Sequence, residues 1–75
     1  MYNEDFLQEQ AVKRGWHKYY SLKKVGIGTH PTNGMIDFIN YESEKKIANM
    51  PIYAILYYER ALSENELHRY CMVNG

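Results

Sequence analysis

The sequence contains one cysteine, Cys71, in 75 residues. It therefore cannot form a disulfide within the chain, and it lacks the cysteine pairs of a structural zinc site. No apolar stretch approaches the eighteen or so residues that a membrane-spanning helix needs. Asn3, Glu4 and Asp5 near the start are the opposite of a basic signal-peptide start. We therefore expect a soluble chain with no signal peptide or membrane segment; a virion or a cell-surface assembly remains a possible location.

The chain also lacks net charge, because nine Lys and Arg residues balance nine Asp and Glu residues. A neutral chain has no overall field that attracts nucleic acid or anionic lipid, so neither is an expected partner. The three histidines, His17, His30 and His68, are far apart and have no metal-ligand spacing, which favours surface histidines. Gly26 and Gly28 lack the third glycine and the helix start of a nucleotide-binding loop.

Catalytic patterns are missing as well. No nucleophile–base pair, carboxylate pair or phosphate loop occurs at a usable spacing, so we expect a protein that is not an enzyme. Asp37 and Glu42 would be the carboxylates of a glycosidase, the weakest alternative. Residues 29–34 and 40–49 are rich in oxygen-bearing side chains, but their spacing indicates no calcium site, and no cofactor is expected.

Tyrosine, by contrast, is abundant, with eight residues, and several fall in the apolar stretch 52–58. This run of β-branched and aromatic residues predicts a strand, and Pro51 precedes it where its missing N–H disturbs no ladder. Alternation along a strand places Ile52, Ala54, Leu56 and Tyr58 on one face and Tyr53, Ile55 and Tyr57 on the other. Both sets are mostly apolar, which predicts a strand covered on both sides.

A capped helix follows this strand. Ser63 and Glu66 have the spacing of a capping box, in which the serine hydroxyl accepts the Glu66 N–H and the carboxylate reaches back. Leu62 and Leu67 occupy the two positions of a hydrophobic staple around that cap. The sequence therefore predicts a fixed strand-to-helix corner.

Two further features of the corner concern its ion pair and its end. Arg60 is expected to pair with Glu66 or Asp37 and so to hold the corner in place. The helix is expected to continue to a stop at Asn74–Gly75, with Cys71 as an inert thiol on its buried side.

The rest of the chain predicts shorter elements. Asn3 is a helix N-cap, and Gly15 follows the last helical residue, Arg14. The remaining expected elements are strands at 16–22, 25–28 and 35–41, a loop at 29–34 ending in an Asn33-Gly34 turn, and a polar loop or single helical turn at 42–49. The sequence thus predicts one mainly β domain, residues 1–75, with an antiparallel sheet or partial β-sandwich and a short helix at each end.

The string of residues from 52 to 67 resembles the C-terminal end of concanavalin A-like, laminin-G-type jelly-roll domains. In that family a late strand leads into a Tyr-Asn-Arg-Ala-Leu-Ser-x-x-Glu-Ile segment and a short closing helix. The matching positions are Tyr58, Arg60, Ala61, Leu62, Ser63, Glu66 and Leu67, with Glu59 where asparagine is common. All of the matching residues except Ala61 are expected to have structural roles. The resemblance is good over 50–72 and extends weakly back to 24, so that 24–75 would be a laminin-G-like tail and 1–23 an added helix and first strand.

The length of the chain bears on its partners. Seventy-five residues form one small domain but not the two full sheets of a jelly roll. Because unpaired strand edges invite pairing, we expect a protein partner or a second copy of the chain to complete the sheet.

The resemblance also implies a function. It suggests a non-enzymatic recognition module for carbohydrate or protein partners; the alternative is a structural subunit of a virion or other large assembly with no soluble ligand. Exposed aromatic rings can stack on sugars or anchor a protein interface. The candidate binding residues are Trp16, Tyr19, Tyr41, Tyr53 and Tyr57.

Overall fold

A computed structural model describes residues 3–24 and 26–75. Within them the chain forms two α-helices, a short 3₁₀ helix and one sheet of four antiparallel strands. The elements are α1 (Glu4–Arg14), β1 (His17–Ser21), the 3₁₀ helix (Ile27–Thr29), β2 (Met35–Ile47), β3 (Met50–Tyr58), α2 (Glu64–Arg69) and β4 (Met72–Asn74). The predicted mainly β class is confirmed. No helix in the described ranges is long and apolar enough to cross a membrane.

The strands lie in the order β2-β3-β1-β4. β3 is central: Leu56 stands opposite Phe38 of β2 on one side and Tyr19 of β1 on the other. β2 and β4 are the two edges of the sheet. The predicted strand at 52–58 therefore has neighbours on both sides, as its apolar composition requires.

The two faces of β3 pack against different helices, which confirms that this strand is covered on both sides. On one face Ala54, Leu56 and Tyr58 pack with Leu62, just before α2, and other residues of that side. On the opposite face β3 packs against Leu7 and Ala11 of α1, and its buried residues there are Ile52, Ile55 and Tyr57. The placement of Ile52 on the face of Ala54 is wrong, and the register shift between Asn40 and Lys45 of β2 lies opposite this part of β3.

Helix α1 begins and ends as predicted. The Asn3 side chain accepts the Phe6 N–H at 2.7 Å, and Gly15 ends the helix in the left-handed conformation at φ 74°. Only Leu7 and Ala11 of this helix are buried, whereas Val12 is 75% exposed. The helix therefore lies on the sheet by a narrow apolar stripe.

Strand β2 is longer than predicted. The expected polar loop at 42–49 is wrong, because β2 continues to Ile47 and turns into β3 through Ala48 and Asn49. These two turn residues have φ 51° and 66°, the left-handed pair of a two-residue hairpin that normally carries Asn-Gly. Pro51 accordingly lies inside β3, opposite Lys46, rather than before the strand.

Two other predicted elements are corrected. The strand expected at 25–28 is wrong where it can be compared, since Ile27–Thr29 is a 3₁₀ helix; Val25 lies outside the described residues. The last helix ends at Arg69 instead of reaching Asn74, because Cys71 takes a left-handed conformation at φ 52°. The chain then forms β4, which pairs with β1. Half-buried Cys71 lies in the turn between α2 and β4.

Candidate functional site

The first half of β2 is an unpaired and weakly protected strand edge. β4, the other edge, has only three residues, whereas β2 has thirteen. Short edge strands and charged side chains, especially lysine, are the usual protection against unwanted pairing. The second half of β2 carries such charges at Glu42, Glu44, Lys45 and Lys46, but residues 35–41 contain neither lysine nor proline. We call residues 35–41 the β2 edge.

The β2 edge exposes apolar side chains. Ile36 is 38% and Phe38 40% exposed, and the described residues contain only two other exposed large hydrophobic side chains. Phe38 stands opposite Leu56 and thus belongs to the α2 side of the sheet, while the register shift between Met35 and Asp37 places Ile36 at a bulge. One amide of this edge is bonded locally, since the Phe38 N–H donates to Asp37 Oδ1 at 2.8 Å.

Two grooves run beside α1. The smaller, of about 230 Å³, connects the helix to the β2 edge. The larger, of about 330 Å³, lies between the helix, β1 and the end of β4. The smaller groove is lined by Phe6, Leu7, Gln10, Arg14, Trp16, Ile36 and Asp37, and the larger by Gln8, Ala11, Val12, Trp16, His17, Lys18, Tyr19, Asn74 and Gly75.

The predicted binding residues do not converge on one surface. Tyr19 and Tyr57 are buried on opposite sides of the sheet, where they offer no surface to a ligand. Trp16 and Tyr41 are half-buried on the α1 side, and Tyr53 is half-buried in β3.

Tyr57 nevertheless has an unusual position under α1. Its ring packs edge-on against Trp16, with 6.5 Å between the centroids, and the whole side chain is buried. Its hydroxyl has no hydrogen-bond partner. Burial raises the pKa of Tyr57 to about 12, so this hydroxyl is a neutral polar group without a partner in the apolar interior.

Buried Tyr19 and Tyr58 differ from Tyr57 because their hydroxyls are bonded. The Tyr19 hydroxyl accepts the Leu62 N–H at 2.9 Å, which ties β1 to the segment before α2. The Tyr58 hydroxyl donates to the Pro31 carbonyl, and burial raises its pKa to about 12. These two tyrosines therefore act as fixed connections between the sheet and its loops.

The strand-to-helix corner forms as the sequence predicts. Ser63 and Glu66 make the complete capping box. Of the two predicted partners, Arg60 pairs with Glu66 and not with Asp37. The Nη1–Oε1 and Nη2–Oε2 distances are 2.9 and 2.8 Å. The Arg60 Nε also donates to the Asn33 carbonyl at 2.7 Å, so one guanidinium joins the Asn33–Gly34 turn before β2 to α2.

This corner gives the fold a pH dependence. The bonds from Arg60, followed by the Ser63 N–H, lower the pKa of Glu66 from 4.5 to about 2. A folded-state pKa below the unfolded one means that the pair stabilises the fold above about pH 4.5 and that this contribution is lost as the pH falls towards 2. We expect the difference in urea midpoint between wild type and Glu66→Gln to be positive at pH 7 and to shrink at about pH 3.

The control for this measurement is Glu64→Gln, which removes a neighbouring exposed glutamate outside the ion pair. Its difference from wild type is expected to change less between the two pH values. A Glu66→Gln difference that stays constant down to about pH 3 would show that the carboxylate gains nothing from Arg60.

Ser21 and His30 form a buried pair that the sequence did not predict. Ser21 Oγ lies 2.8 Å from His30 Nε2, and the two residues are 0% and 3% exposed, so the expectation of a surface histidine is wrong for His30. Ser21 Oγ also donates to the Lys23 carbonyl at 3.3 Å. These residue types can form a nucleophile–base pair, but full burial leaves no access for a substrate. The pair connects β1 to the loop before β2.

Acidic, cysteine and histidine side chains of the described residues do not gather into a metal site. Among residues 3–24 and 26–75 there is no group of three or more His, Cys, Asp or Glu side chains that could hold a metal ion. Glu4, Tyr41 and Lys45 form a polar cluster in which Lys45 Nζ lies 3.1 Å from Glu4 Oε2 and 3.2 Å from the Tyr41 hydroxyl. This cluster fastens the start of α1 to β2.

Comparison with known proteins assigns the sheet and α2 to a family. The model of the family described as Defence against restriction A C-terminal matches residues 14–75, well over half of the chain. The chain belongs to this family. No curated protein and no solved structure matches it.

Membership in the Defence against restriction A C-terminal family overturns the jelly-roll resemblance. The match includes the whole of residues 52–67, on which that resemblance depended, and assigns them to a different family. A tyrosine-rich strand followed by a capping box is a local solution for a strand-to-helix corner, and it does not specify how many strands surround it. The expectation of carbohydrate binding rested on the same resemblance and is withdrawn with it.

Proposed function

We propose that this domain is a non-enzymatic protein-binding module, through which a defence-against-restriction protein attaches to a protein partner by strand addition at the β2 edge. In strand addition, an extended segment of the partner pairs with an exposed sheet edge. Main-chain hydrogen bonds supply affinity, and side chains at alternate positions supply specificity. The observation that carries the proposal is the pair of exposed apolar residues Ile36 and Phe38 on the half of a long edge strand whose only charged residue is Asp37.

The chemistry of the edge defines the partner segment. Ile36 and Phe38 favour apolar side chains in the partner strand, since charged ones would lose hydration there. The local bond between the Phe38 N–H and Asp37 leaves one amide that the partner need not pair. We therefore infer an extended, apolar segment of about five to seven residues as the ligand, the length of a typical strand.

The proposal is tested in the full chain with the variant Phe38→Lys. A lysine on an edge strand opposes pairing, so we expect loss of partner co-purification and loss of protection against restriction. The matched control is Ser43→Lys, which places the same side chain in the half of β2 that is already charged. Circular dichroism of both variants checks that the sheet remains folded.

Equal protection by the Phe38→Lys and Ser43→Lys proteins would refute strand addition at the β2 edge. The alternative function, a structural subunit of a large assembly, makes a different prediction for the domain alone. A subunit whose edge is always covered would be insoluble or unfolded by itself and rescued by co-expression with its neighbour. A domain that is folded and monomeric alone, and that binds its partner reversibly, fits the recognition module.

A further inference from the structure

Helix α1 covers one face of the sheet with very few side chains. Of its eleven residues only Leu7 and Ala11 are buried. They pack against β3, where they meet Ile52, Ile55 and Tyr57. The helix itself thus contributes only one leucine and one alanine to the buried cluster, and half-buried residues outside it, such as Trp16, supply the rest of the cover.

The grooves on both sides of α1 show that it fills this face incompletely. One measures about 330 Å³ and the other about 230 Å³, and Trp16 lines both of them. Both grooves are open to solvent, so the sheet face beside α1 has space for side chains larger than those of the helix that now occupies it.

A buried polar atom under the helix supports the same view independently. The Tyr57 hydroxyl is fully buried on the α1 side and has no hydrogen-bond partner. Most buried polar groups in native proteins are satisfied, so an unsatisfied one needs an explanation. An occupant that presented a polar atom at this position would remove the penalty, and α1 does not.

The polar contacts that hold α1 are few, and one of them is a hydrogen bond from the half-buried Tyr41 hydroxyl to Glu4 Oε2 at 3.3 Å. Lys45 Nζ binds Glu4 Oε2 at 3.1 Å between side chains that are 42% and 38% exposed. Lys18 Nζ binds Gln8 Oε1 at 2.8 Å, also at the surface. Exposed pairs of this kind contribute little to stability, so attachment of the helix depends mainly on its two buried side chains.

The boundary of the family match coincides with the end of α1. The match begins at Arg14, the last residue of the helix, and it includes all four strands and α2. Residues 4–13, which cover the face, lie outside it. The family match thus contains the sheet face but not the residues of α1 that cover it.

We propose that the sheet face under α1 is a second binding surface, that its ligand is an amphipathic helix of a protein partner, and that α1 is a displaceable occupant of that surface. A helix is the ligand because the face already accepts one in this chain. The partner helix would carry larger apolar side chains than Ala11, to fill the grooves, and a polar atom near the Tyr57 hydroxyl. This surface adjoins the β2 edge, since Ile36 and Asp37 line the smaller groove, but helix binding uses the face of the sheet and does not depend on strand addition.

Hydrogen exchange of the full chain is the first test. If α1 leaves the sheet without global unfolding, its amides exchange through a local opening, whereas those of β3 exchange only on global unfolding. We expect the best protected amides of α1 to exchange at least about a hundredfold faster than those of β3. Equal exchange of the two elements would overturn the proposal.

A peptide probe is the second test. The probe has the sequence of residues 3–15 with Ala11→Leu, and a lactam joins the exposed side chains of Glu9 and Lys13 to keep the short peptide helical. Because α1 competes for the same face, the probe should bind the Leu7→Ala chain about tenfold or more tighter than the wild-type chain. Glu4→Gln, which weakens only the polar contacts of Glu4, is the second chain in case Leu7→Ala is too unstable.

Nuclear magnetic resonance locates the bound peptide. Binding should shift the resonances of Ile52, Ile55 and Tyr57 and release those of α1 in the intact chain. The same peptide with Leu7→Lys should not bind. The Phe38→Lys chain should bind the probe normally, because Phe38 lies on the α2 side of the sheet, and this result separates helix binding from strand addition. Absence of binding, or binding that leaves the α1 resonances unchanged, would overturn the proposal.

Discussion

Leu56→Ala is expected to destabilise the domain by about 2–5 kcal/mol, because it removes buried methyl groups and leaves a cavity that the sheet can fill only partly. Leu56 is fully buried in β3, between Tyr19 and Phe38 on the neighbouring strands. A domain of 75 residues has a free energy of unfolding of roughly 4–11 kcal/mol. The substitution therefore removes a large part of the stability. Urea denaturation measures this loss as a lower midpoint, with an unchanged dependence of the unfolding free energy on urea concentration.

Phe38→Ala is the matched control, since Phe38 is the β2 neighbour of Leu56 on the same face. It deletes a larger side chain, but one that is 40% exposed at the sheet edge. We expect a loss below about 1 kcal/mol. If Phe38→Ala cost as much as Leu56→Ala, Phe38 would be part of the core, and its proposed role in binding a partner would lose its basis.

Local sequence signals predicted the centre of the fold well. The strand at 52–58, the capping box at Ser63 and the Arg60–Glu66 pair all depend on residues within about fifteen positions of each other. So does α1, whose Asn3 cap and Gly15 stop are both visible in the sequence. Where every signal lies inside one short segment, distant parts of the chain have little influence on the result.

The elements that were predicted wrongly depend on left-handed backbone conformations at residues of types that rarely adopt them. The β2–β3 turn uses Ala48 in the left-handed region, and the end of α2 uses Cys71 there, where glycine or asparagine is usual. Without glycine, neither stop could be read from the sequence. The polar residues before Ala48 were also compatible with a loop, because an edge strand does not need two apolar faces.

The candidate site could be predicted only in part, because it is defined by what lies next to what. The expectation that a partner completes the sheet came from the length of the chain, but the sequence could not show that residues 35–41 form the open edge. That depends on the strand order, which is non-local. Likewise, aromatic residues stood out as binding candidates, yet Tyr19 and Tyr57 are buried by pieces of chain that lie far away in sequence.

Tyr19 and Tyr57 give the most discriminating test of the interior, since the same chemical change should have opposite effects on stability. Tyr19→Phe removes the acceptor of the buried Leu62 N–H, at a cost of about 1–3 kcal/mol. Tyr57→Phe removes a buried hydroxyl that has no partner, and it should stabilise the fold by about 1 kcal/mol. Urea midpoints of the two variants measured beside wild type give both signs directly.

The outcome for Tyr57 also bears on the surface under α1. A stabilised Tyr57→Phe protein would establish that α1 leaves this hydroxyl unsatisfied, as expected for an occupant that fits the face incompletely. A loss comparable to that of Tyr19→Phe would mean that the hydroxyl is already hydrogen-bonded, for example to a buried water molecule, because only a satisfied group is costly to delete. The unsatisfied hydroxyl would then no longer distinguish α1 from a better-fitting partner helix, and the grooves beside the helix would have to support that inference without it.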